Sequence, residues 1–427
     1  MKKIFYVVLD GMGDWPIEEL KNKTPLEAAI TPNMDKLAKE GKVGLLIPVE
    51  EGVAPESDIA VISLLGYDAH KYYTGRGPLE SFAEGLEVKK GDLAYRVNFA
   101  TLGEGRDIKD RRVGRSLSTE EATVLSDEIN SKVKLTGGTF EFKNTIGHRG
   151  VLVIRSDKGV LSGWVTNTDP AYEREGVFGV ALEEFEPVWQ ESKPLPGHED
   201  DAAAKESARL TNEFIQKSTE VLRASEINKK REREGKLSAN LILARDAGDH
   251  LPEFPQMDQE WDMKFGCFVQ MPVEKGIALL TGMEVVEVPL PGEAVDKEYR
   301  MWAKLALENI KRYDALYIHI KGPDEPAHDG RYKDKLENIQ SIDRYFFTPL
   351  LEGINKGDAI LTVTADHSTP CKIAAHSADP VPLLIWGAGV DADNVQEFGE
   401  SAAKKGSLGT ILGRTLMSKL VEFAKGK

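Results

Sequence analysis

Three apolar runs in this sequence each lead into an acidic residue, and these acids are the first candidates for chemistry. The runs and their acids are residues 4–9 with Asp10, residues 315–320 with Asp324 and residues 359–365 with Asp366. Continuous apolar runs rich in β-branched and aromatic residues are typical of strands buried on both faces of a parallel sheet. Because ligands bind beyond the carboxyl ends of such strands, the three acids are predicted to meet at one edge of the sheet.

Histidines accompany two of these acids. His328 follows Asp324 by four residues, a spacing that can place both on the same side of a helical turn. His367 follows Asp366 directly, and His376 comes nine residues later. Together with the first aspartate they offer oxygen and nitrogen ligands without cysteine, a set that suits Mn²⁺, Zn²⁺ or Mg²⁺. Three acids and three histidines are too many for one tetrahedral zinc, so the set predicts two cations.

A serine follows a proline-containing loop and has two possible roles. Ser57 lies in the segment Pro55-Glu56-Ser57-Asp58, where a helical pattern begins. Its hydroxyl could act only as a helix N-cap that satisfies open backbone N–H groups. It could instead face the cations, because a helix N-terminus favours a phosphate and a bound metal would activate the hydroxyl as a nucleophile.

Arginines supply candidates for binding an anionic substrate. The set consists of Arg111, Arg112, Arg115, Arg149 and Arg245. The planar guanidinium group suits bidentate binding of a carboxylate or a phosphate. The alternative is a solvated loop with surface ion pairs, and the adjacent Arg111 and Arg112 cannot face the same way on a strand. Given the predicted metal site, we expect these arginines to clamp the substrate.

The composition restricts the class of protein and its partners. The chain has 427 residues, of which 41% are apolar and 29% charged, values typical of a soluble globular protein with two domains. A formal net charge of −15 argues against nucleic acid or an anionic membrane as a partner. The first apolar run is too short for a signal peptide or a membrane span. Cys267 and Cys371 are therefore expected to be reduced thiols in a cytoplasmic protein.

The order of the elements predicts an α/β protein with an inserted domain. A mostly parallel sheet flanked by helices is expected from residues 1–83 and 195–427, because its strands come from both ends of the chain. Residues 84–194 combine short strands and a helix with glycine-, aspartate- and arginine-rich turns, so they are predicted to form a smaller α+β domain. Helices are also expected over residues 31–41, 202–232 and 331–354.

Several further motifs occur in a fixed order with these residues. They are Leu9-Asp10-Gly11-Met12-Gly13-Asp14 and residues 31–35, 65–68, 72–80, 109–115, 321–330, 365–371 and 376–382. In this order the motifs resemble the alkaline phosphatase superfamily and, more narrowly, the archaeal-type cofactor-independent phosphoglycerate mutases. The resemblance covers nearly the whole chain, which makes it more specific than any single motif.

The resemblance implies an alkaline-phosphatase-like fold and the interconversion of 2- and 3-phosphoglycerate, a step of glycolysis and gluconeogenesis. The phosphoryl group would pass through a phosphoserine on Ser57, and 2,3-bisphosphoglycerate would not be needed. One divalent cation would be bound by Asp324, His328 and His376, and the other by Asp10, Ser57, Asp366 and His367. The substrate groove would lie between the core and the inserted domain, whose arginines would hold the sugar-acid part.

Two positions depart from the family pattern. Glu56 stands where related sequences usually have glycine, and Asp246 replaces the glycine of Arg-Gly-Ala-Gly. Glycine allows backbone angles that larger residues resist, and a carboxylate beside a phosphoserine is electrostatically unfavourable. Neither position is a predicted metal ligand, so both bear on substrate and efficiency rather than on the class of chemistry.

Three other functions would use the same residues. A metal-dependent phosphomonoesterase needs the same core, and a homoserine-kinase-like phosphotransferase belongs to the same wider family. A non-catalytic metal-binding protein is the third alternative, although every expected ligand is present. The arginine-rich insertion favours the mutase, because a small anionic intermediate must be retained during the reaction.

Overall fold

The computed structural model describes residues 1–182, 184–289 and 294–426. The chain divides into two compact units. Unit 1 comprises Met1–Tyr72 and Glu253–Lys427, and unit 2 comprises Tyr73–Pro252. The core unit is therefore built from both ends of the chain, with the second unit between them in sequence.

Fifteen strands and sixteen helices are labelled in chain order. The strands are β1 (Lys3–Leu9), β2 (Lys42–Ile47), β3 (Leu93–Leu102), β4 (Ile108–Asp110), β5 (Gly138–Asn144), β6 (Arg149–Ser156), β7 (Tyr172–Glu175), β8 (Phe178–Ala181), β9 (Leu241–Gly248), β10 (Phe265–Phe268), β11 (Glu284–Val285), β12 (Ala315–Ile320), β13 (Ala359–Thr364), β14 (Val381–Gly387) and β15 (Thr410–Leu412). The helices are α1 (Pro25–Ala28), α2 (Pro32–Glu40), α3 (Ser57–Leu64), α4 (Ala69–Tyr72), α5 (Arg76–Ala83), α6 (Thr119–Lys132), α7 (Ala202–Ala224), α8 (Glu226–Arg233), α9 (Met257–Trp261), α10 (Pro272–Leu280), α11 (Val295–Asn309), α12 (Asp324–His328), α13 (Tyr332–Ile342), α14 (Thr348–Gly353), α15 (Glu400–Ala403) and α16 (Gly413–Lys425). Short 3₁₀ helices span Glu18–Leu20, Val113–Arg115 and Lys356–Asp358, and a π-helical segment spans Asp343–Phe347.

Unit 1 is built on an eight-stranded sheet with the order β11-β10-β12-β1-β13-β14-β2-β15. Strand β1 pairs in parallel with both β12 and β13, and Ile4 lies opposite Ala315 and Ile360. Strand β14 runs antiparallel to its two neighbours. Every residue of β12 and β13 is buried, as is all of β1 except Lys3, which is the pattern of a sheet covered on both faces. The predicted α/β fold with a mostly parallel sheet is confirmed.

The helix predicted over residues 31–41 is α2, and a distant aspartate holds its N-terminus. Thr31 occupies the N-cap position and Gly41 the C-cap position, but the Thr31 side chain makes no capping hydrogen bond. The Asp343 carboxylate instead accepts hydrogen bonds from the backbone N–H groups of Asn33 (3.2 Å) and Met34 (2.8 Å). Asp343 also begins the π-helical segment, which joins α13 to α14, so the helix predicted over residues 331–354 is present as these three consecutive segments.

Unit 2 contains a five-stranded antiparallel sheet with the order β4-β3-β6-β5, in which β9 also pairs with β3. Helix α7 packs on this sheet, where the Phe214 ring contacts those of Phe140 and Phe142. Both α7 and β9 follow residue 194, so unit 2 does not end there as predicted. It also begins earlier than residue 84, because α5 packs against β3 with Gly77 directly over the backbone of Ala94.

The stretch predicted as one helix over residues 202–232 is two helices. Ser225 has an extended backbone between α7 and α8, and its hydroxyl accepts a hydrogen bond from the backbone N–H of Ile227 at 3.3 Å. A serine that caps the second helix in this way ends the first. Within the part of the chain that the structure describes, no helix has the length and apolarity to cross a membrane.

Asp246 occupies a backbone conformation that favours glycine. Its φ angle is +58°, in the left-handed region where a Cβ atom crowds the backbone. We expect Asp246→Gly to unfold at a higher denaturant concentration than Asp246→Ala, with a free energy of unfolding about 1 kcal/mol larger. Both variants lose the carboxylate, so the difference between their free energies of unfolding measures the effect of the backbone conformation alone.

A neighbouring alanine supplies the control for this comparison. Ala244 lies in the same strand and is not among the residues with positive φ. Ala244→Gly should therefore lower stability relative to alanine, the reverse of the order at position 246. An equal stability of Asp246→Gly and Asp246→Ala in denaturant titrations would contradict the account of strain at this position.

Candidate active site

The predicted acids meet because their strands are neighbours. Asp10 directly follows β1, Asp324 begins the short helix α12 after β12, and Asp366 comes two residues after the end of β13. These three strands run in parallel side by side, so their carboxyl ends share one edge of the sheet. Side chains that are far apart in the sequence therefore lie close together at this edge.

The first cluster consists of Asp324, His328 and His376, whose ligand atoms lie within 4.8 Å of one another. One turn of α12 separates Asp324 from His328, and Asp324 Oδ2 lies 3.3 Å from His328 Nε2. His376 Nε2 lies 3.7 Å from Asp324 Oδ1 and 3.1 Å from His328 Nε2. The structure therefore brings the predicted set together, with Nε2 of both histidines facing the Asp324 carboxylate.

The second cluster consists of Asp10, Asp366 and His367, and all three are buried. His367 Nε2 lies 3.3 Å from both Asp10 Oδ1 and Asp366 Oδ2. The backbone N–H of Gly11 donates to Asp366 Oδ1 at 3.1 Å and fixes the orientation of that carboxylate. The second predicted set is thus also brought together.

Ser57 lies beside the second cluster rather than acting as a helix cap. It is the first residue of α3, and its Oγ lies 3.2 Å from His367 Nε2. Glu56 occupies the N-cap position with φ −75°, an angle that any residue adopts, so no glycine is required there. The expected backbone conflict at Glu56 is therefore wrong. Its carboxylate instead lies 3.9 Å from His376 Nδ1, next to a predicted ligand.

The histidine tautomers fit the binding of cations. Nδ1 of His328 lies 3.0 Å from the carbonyl oxygen of Ala374, and Nδ1 of His376 lies 2.8 Å from that of Pro55. His367 Nδ1 lies 3.0 Å from the hydroxyl of Thr369. An oxygen acceptor at Nδ1 places the proton there and leaves Nε2 as a metal ligand.

Two buried carboxylate oxygens also fit a cation. Within the described residues, Asp10 Oδ1 and Asp366 Oδ2 have no hydrogen-bond partner. A buried anionic oxygen without a partner is unfavourable unless a positive charge compensates it. Oxygen and imidazole donors in this arrangement suit hard or borderline divalent cations.

The charged groups of the two clusters shift one another's pKa values. Burial and the Asp10 carboxylate act to raise the pKa of Asp324, but the three histidines outweigh both and lower it to about 2. The hydrogen bond to Asp324 raises the pKa of His328 to about 9. Burial acts to lower the pKa of His367, but the surrounding carboxylates outweigh it and raise that pKa to about 9. Ionised carboxylates dominate this edge, so the site attracts cations.

Lys321 is a site residue that was not predicted from the sequence. Its Nζ lies 2.8 Å from Asp10 Oδ2 and 2.6 Å from Glu274 Oε1. Burial acts to lower the pKa of Lys321, but Asp10 and Glu274 outweigh it and raise that pKa. Its position directly after β12 is the sequence feature that could have identified it as a site residue. His319 is buried inside that strand, with ring nitrogens near Glu274 (3.3 Å) and Asp366 (3.5 Å).

The five predicted arginines all lie in unit 2, in two groups. Arg111, Arg112 and Arg115 line a cavity of about 520 Å³. Arg111 also makes a bidentate ion pair with Asp169, both hydrogen bonds being 2.7 Å long. Residues 113–115 all have positive φ angles, so this strained turn includes Arg115 and directly follows Arg112.

The other group surrounds the buried carboxylate of Glu80. Arg149 and Arg245 belong to it, with Arg76 2.5 Å and Arg96 3.6 Å from Glu80 Oε1. Burial and the neighbouring guanidinium groups lower the pKa of Arg96 to about 10. Arg96, the one charged residue of strand β3, was not predicted from the sequence. Nε of Arg96 and Nε and Nη1 of Arg245 are buried without hydrogen-bond partners in the described residues, which suits an anion.

The fold and the site define an α/β protein with a serine beside two clusters suited to divalent cations. A sequence model of 2,3-bisphosphoglycerate-independent phosphoglycerate mutases matches residues 38–228. An enzyme of that name from Aeropyrum pernix is 44% identical over 417 residues, which cover 96% of each chain. This chain belongs to the 2,3-bisphosphoglycerate-independent phosphoglycerate mutase family, so the predicted membership is confirmed.

Solved structures agree with this assignment. A protein from Pyrococcus horikoshii matches with a TM-score of 0.80 and 32% identity, over 100% of this chain and 98% of the other. A cofactor-independent phosphoglycerate mutase from Thermoplasma acidophilum matches with a TM-score of 0.65 and 30% identity, over 99% and 100% of the two chains. The similarity therefore extends across both units.

A buried lysine holds the loops that carry the ligands. Lys335 is fully buried, and its Nζ donates to Gly13 O (2.8 Å), Asp14 Oδ2 (2.9 Å) and Thr369 O (2.9 Å). We expect Lys335→Met to lower the free energy of unfolding by about 3–5 kcal/mol, because it leaves Asp14 as an unpaired buried charge. Chemical denaturation measures the change.

A lysine on the same helix provides the control. Lys333 is exposed, so Lys333→Met should change stability by no more than about 0.5 kcal/mol. Adding Asp14→Asn to Lys335→Met should recover part of the lost stability, because the second change removes the unpaired charge. Similar stability losses in the two lysine variants would show that Lys335 does not hold these loops.

Proposed function

We propose that this chain interconverts 2-phosphoglycerate and 3-phosphoglycerate without 2,3-bisphosphoglycerate, through a phosphoserine on Ser57. The observation that carries the proposal is the position of Ser57 at the start of α3, with its Oγ 3.2 Å from His367 Nε2 in one of two ligand clusters. The name shared by the relatives supports the choice of substrate.

Two divalent cations belong to the proposed site. Asp324, His328 and His376 would bind one, and Asp10, Asp366, His367 and Ser57 would bind the other. Mn²⁺, Zn²⁺ and Mg²⁺ all suit these oxygen and nitrogen donors. When bound, the cations would stabilise charge on the phosphoryl oxygens and lower the pKa of the serine hydroxyl.

The transfer takes two steps of the same kind. Ser57 Oγ attacks the phosphorus, the new Oγ–P bond forms, and the bond from phosphorus to the glycerate oxygen breaks. The proton lost by the serine balances the one gained by the glycerate oxygen. Glycerate then turns, its other hydroxyl attacks the phosphoserine, and Ser57 regains a proton as it leaves. The N-terminus of α3 and the ammonium group of Lys321 favour the anionic phosphoryl group during both steps.

Arginines of unit 2 are proposed to bind the anionic substrate. Arg149 and Arg245, together with Arg96, offer a desolvated guanidinium group to a carboxylate or phosphate. Arg112 and Arg115 offer a second, more open set beside the 520 Å³ cavity. Two sets of cationic groups match a substrate that carries a carboxylate and a phosphate on the same small skeleton.

Two other reactions use the same catalytic residues and are distinguished by their products. A phosphomonoesterase would pass the phosphoserine to water and release free phosphate. A homoserine-kinase-like enzyme would transfer phosphate from ATP to homoserine. The names of the relatives and the buried arginine group favour retention of glycerate over either reaction.

The test follows both products of one substrate. Metal-replete protein supplied with 3-phosphoglycerate should form 2-phosphoglycerate without added 2,3-bisphosphoglycerate and should release little free phosphate. Ser57→Ala should reduce both by at least about 10³-fold, because the nucleophile is removed. Chelation should abolish turnover, and added Mn²⁺ should restore it. Ser63, a second serine of α3, supplies the control, and Ser63→Ala should leave the rate of isomerisation largely unchanged.

The outcomes separate the candidate functions. Free phosphate as the main product would identify a phosphomonoesterase. Phosphohomoserine formed from ATP and homoserine, without isomerisation, would identify the kinase-like alternative. Full isomerase activity in Ser57→Ala would contradict the phosphoserine mechanism directly.

The buried arginine group yields a separate prediction. Arg245→Lys should lower kcat/KM for 3-phosphoglycerate by about 10–100-fold, because lysine cannot reproduce the planar bidentate contact. Arg106→Lys is the matched control, since Arg106 is exposed and pairs with Glu191 at 2.6 Å. Equal kcat/KM values for the two variants, measured in the forward direction, would argue against a role of Arg245 in substrate binding.

A further inference from the structure

One hydroxyl group lies between the two ligand clusters. Thr369 Oγ1 donates a hydrogen bond to Asp324 Oδ1 at 2.7 Å and lies 3.0 Å from His367 Nδ1. Asp324 belongs to the first cluster and His367 to the second. Thr369 is therefore in direct contact with a member of each.

The direction of both hydrogen bonds follows from the chemistry of the groups. A hydroxyl has one proton, and an ionised carboxylate can only accept. Thr369 must therefore give its proton to Asp324 and accept the Nδ1–H of His367. This fixes His367 with Nε2 towards Asp10 and Asp366, where a cation would bind.

The surroundings hold this hydroxyl in place. Thr369 is fully buried, its backbone N–H donates to Gly13 O at 3.0 Å, and its carbonyl accepts from Lys335 Nζ at 2.9 Å. A Cβ atom at Gly11 would lie only 2.8 Å from Oγ1, so the turn after β1 leaves room for the hydroxyl and little more. A buried polar network whose hydrogen bonds are satisfied in this way is rigid.

The other two histidines are held differently. Nδ1 of His328 and Nδ1 of His376 each face a backbone carbonyl oxygen, that of Ala374 and that of Pro55. A carbonyl oxygen can only accept hydrogen bonds. Neither of these two carbonyls can therefore also donate a hydrogen bond to a carboxylate of the other cluster, as the Thr369 hydroxyl does. Among the three predicted histidine ligands in the described residues, His367 is thus the one whose Nδ1 is hydrogen-bonded to a side chain that also donates to a carboxylate of the other cluster.

We propose that Thr369 is a positioning residue that couples the two cation sites, by fixing the tautomer of His367 in one and the carboxylate of Asp324 in the other. Loss of the hydroxyl therefore weakens both sites together. The inference depends on the proposed function in one respect, that the two clusters bind divalent cations.

The test measures cation binding directly, with Mn²⁺ alone as the probe. Metal-stripped full-length protein is titrated with Mn²⁺, and both dissociation constants are determined by calorimetry and by the electron paramagnetic resonance signal of free Mn²⁺. Thr369→Val, which keeps the shape and removes the hydroxyl, should weaken both sites by about 10–100-fold. Thr369→Ser keeps the hydroxyl and should stay within about threefold of wild type at both sites.

A second buried threonine controls for the loss of a hydroxyl. Thr362 is fully buried in β13, and its hydroxyl donates to the Leu384 carbonyl at 2.8 Å. Thr362→Val should lose stability without changing either Mn²⁺ dissociation constant. Weakening of one site only in Thr369→Val, or of both sites equally in Thr369→Val and Thr369→Ser, would overturn the coupling role.

The same titration separates this inference from the proposed function. Wild-type protein that binds fewer than two Mn²⁺ ions would contradict both. Two ions bound by wild type with unchanged affinities in Thr369→Val would contradict the coupling role alone. Two ions bound without isomerisation would contradict the mutase function while the comparison of variants still decides the role of Thr369.

Discussion

Three carboxylates meet at one edge of the sheet in unit 1, and the negative charge that they concentrate constrains everything built around them. Asp10, Asp324 and Asp366 follow three adjacent parallel strands, so the topology itself forces them together. Such a group is stable only when positive charge compensates it. Lys321, whose Nζ lies 2.8 Å from Asp10 Oδ2, compensates part of it within the protein itself, and divalent cations would do so in the proposed enzyme.

The turn after β1 shows how closely the backbone is fitted to this charge. Gly11 has φ +60°, and a Cβ atom there would lie 2.5 Å from Asp324 Oδ1. Its backbone N–H donates to Asp366 Oδ1, so the turn contacts the carboxylates that follow both neighbouring strands. Glycine is required here by the close approach as well as by the φ angle. The same requirement is absent at Glu56, where the backbone is extended.

Most of the first unit's site could be predicted because its residues follow recognisable strands. The acids and histidines stand after apolar runs or at helical spacing, so periodicity and residue type placed them at one edge, whereas their division into two cation sites came from the family resemblance. Lys321 and Arg96 were missed because a single charged residue beside or within a strand has no spacing of its own. The second unit's boundary was missed because β9 pairs with β3 across a long separation in the sequence, which no local pattern records. The break at Ser225 shows the same limit, since amphipathic periodicity continues through it.

The placement of β1 has a consequence for the order of folding. Ile4 pairs with Ala315 on one side and Ile360 on the other, so both partners of β1 come more than 300 residues later in the chain. During synthesis its apolar residues have no strand to pair with until those partners emerge. Pairings so distant in sequence form slowly, and an unpaired apolar strand is open to association with other chains in the meantime. Unit 2 lies wholly between these strands in the sequence. Its own sheet can therefore form while β1 is still unpaired.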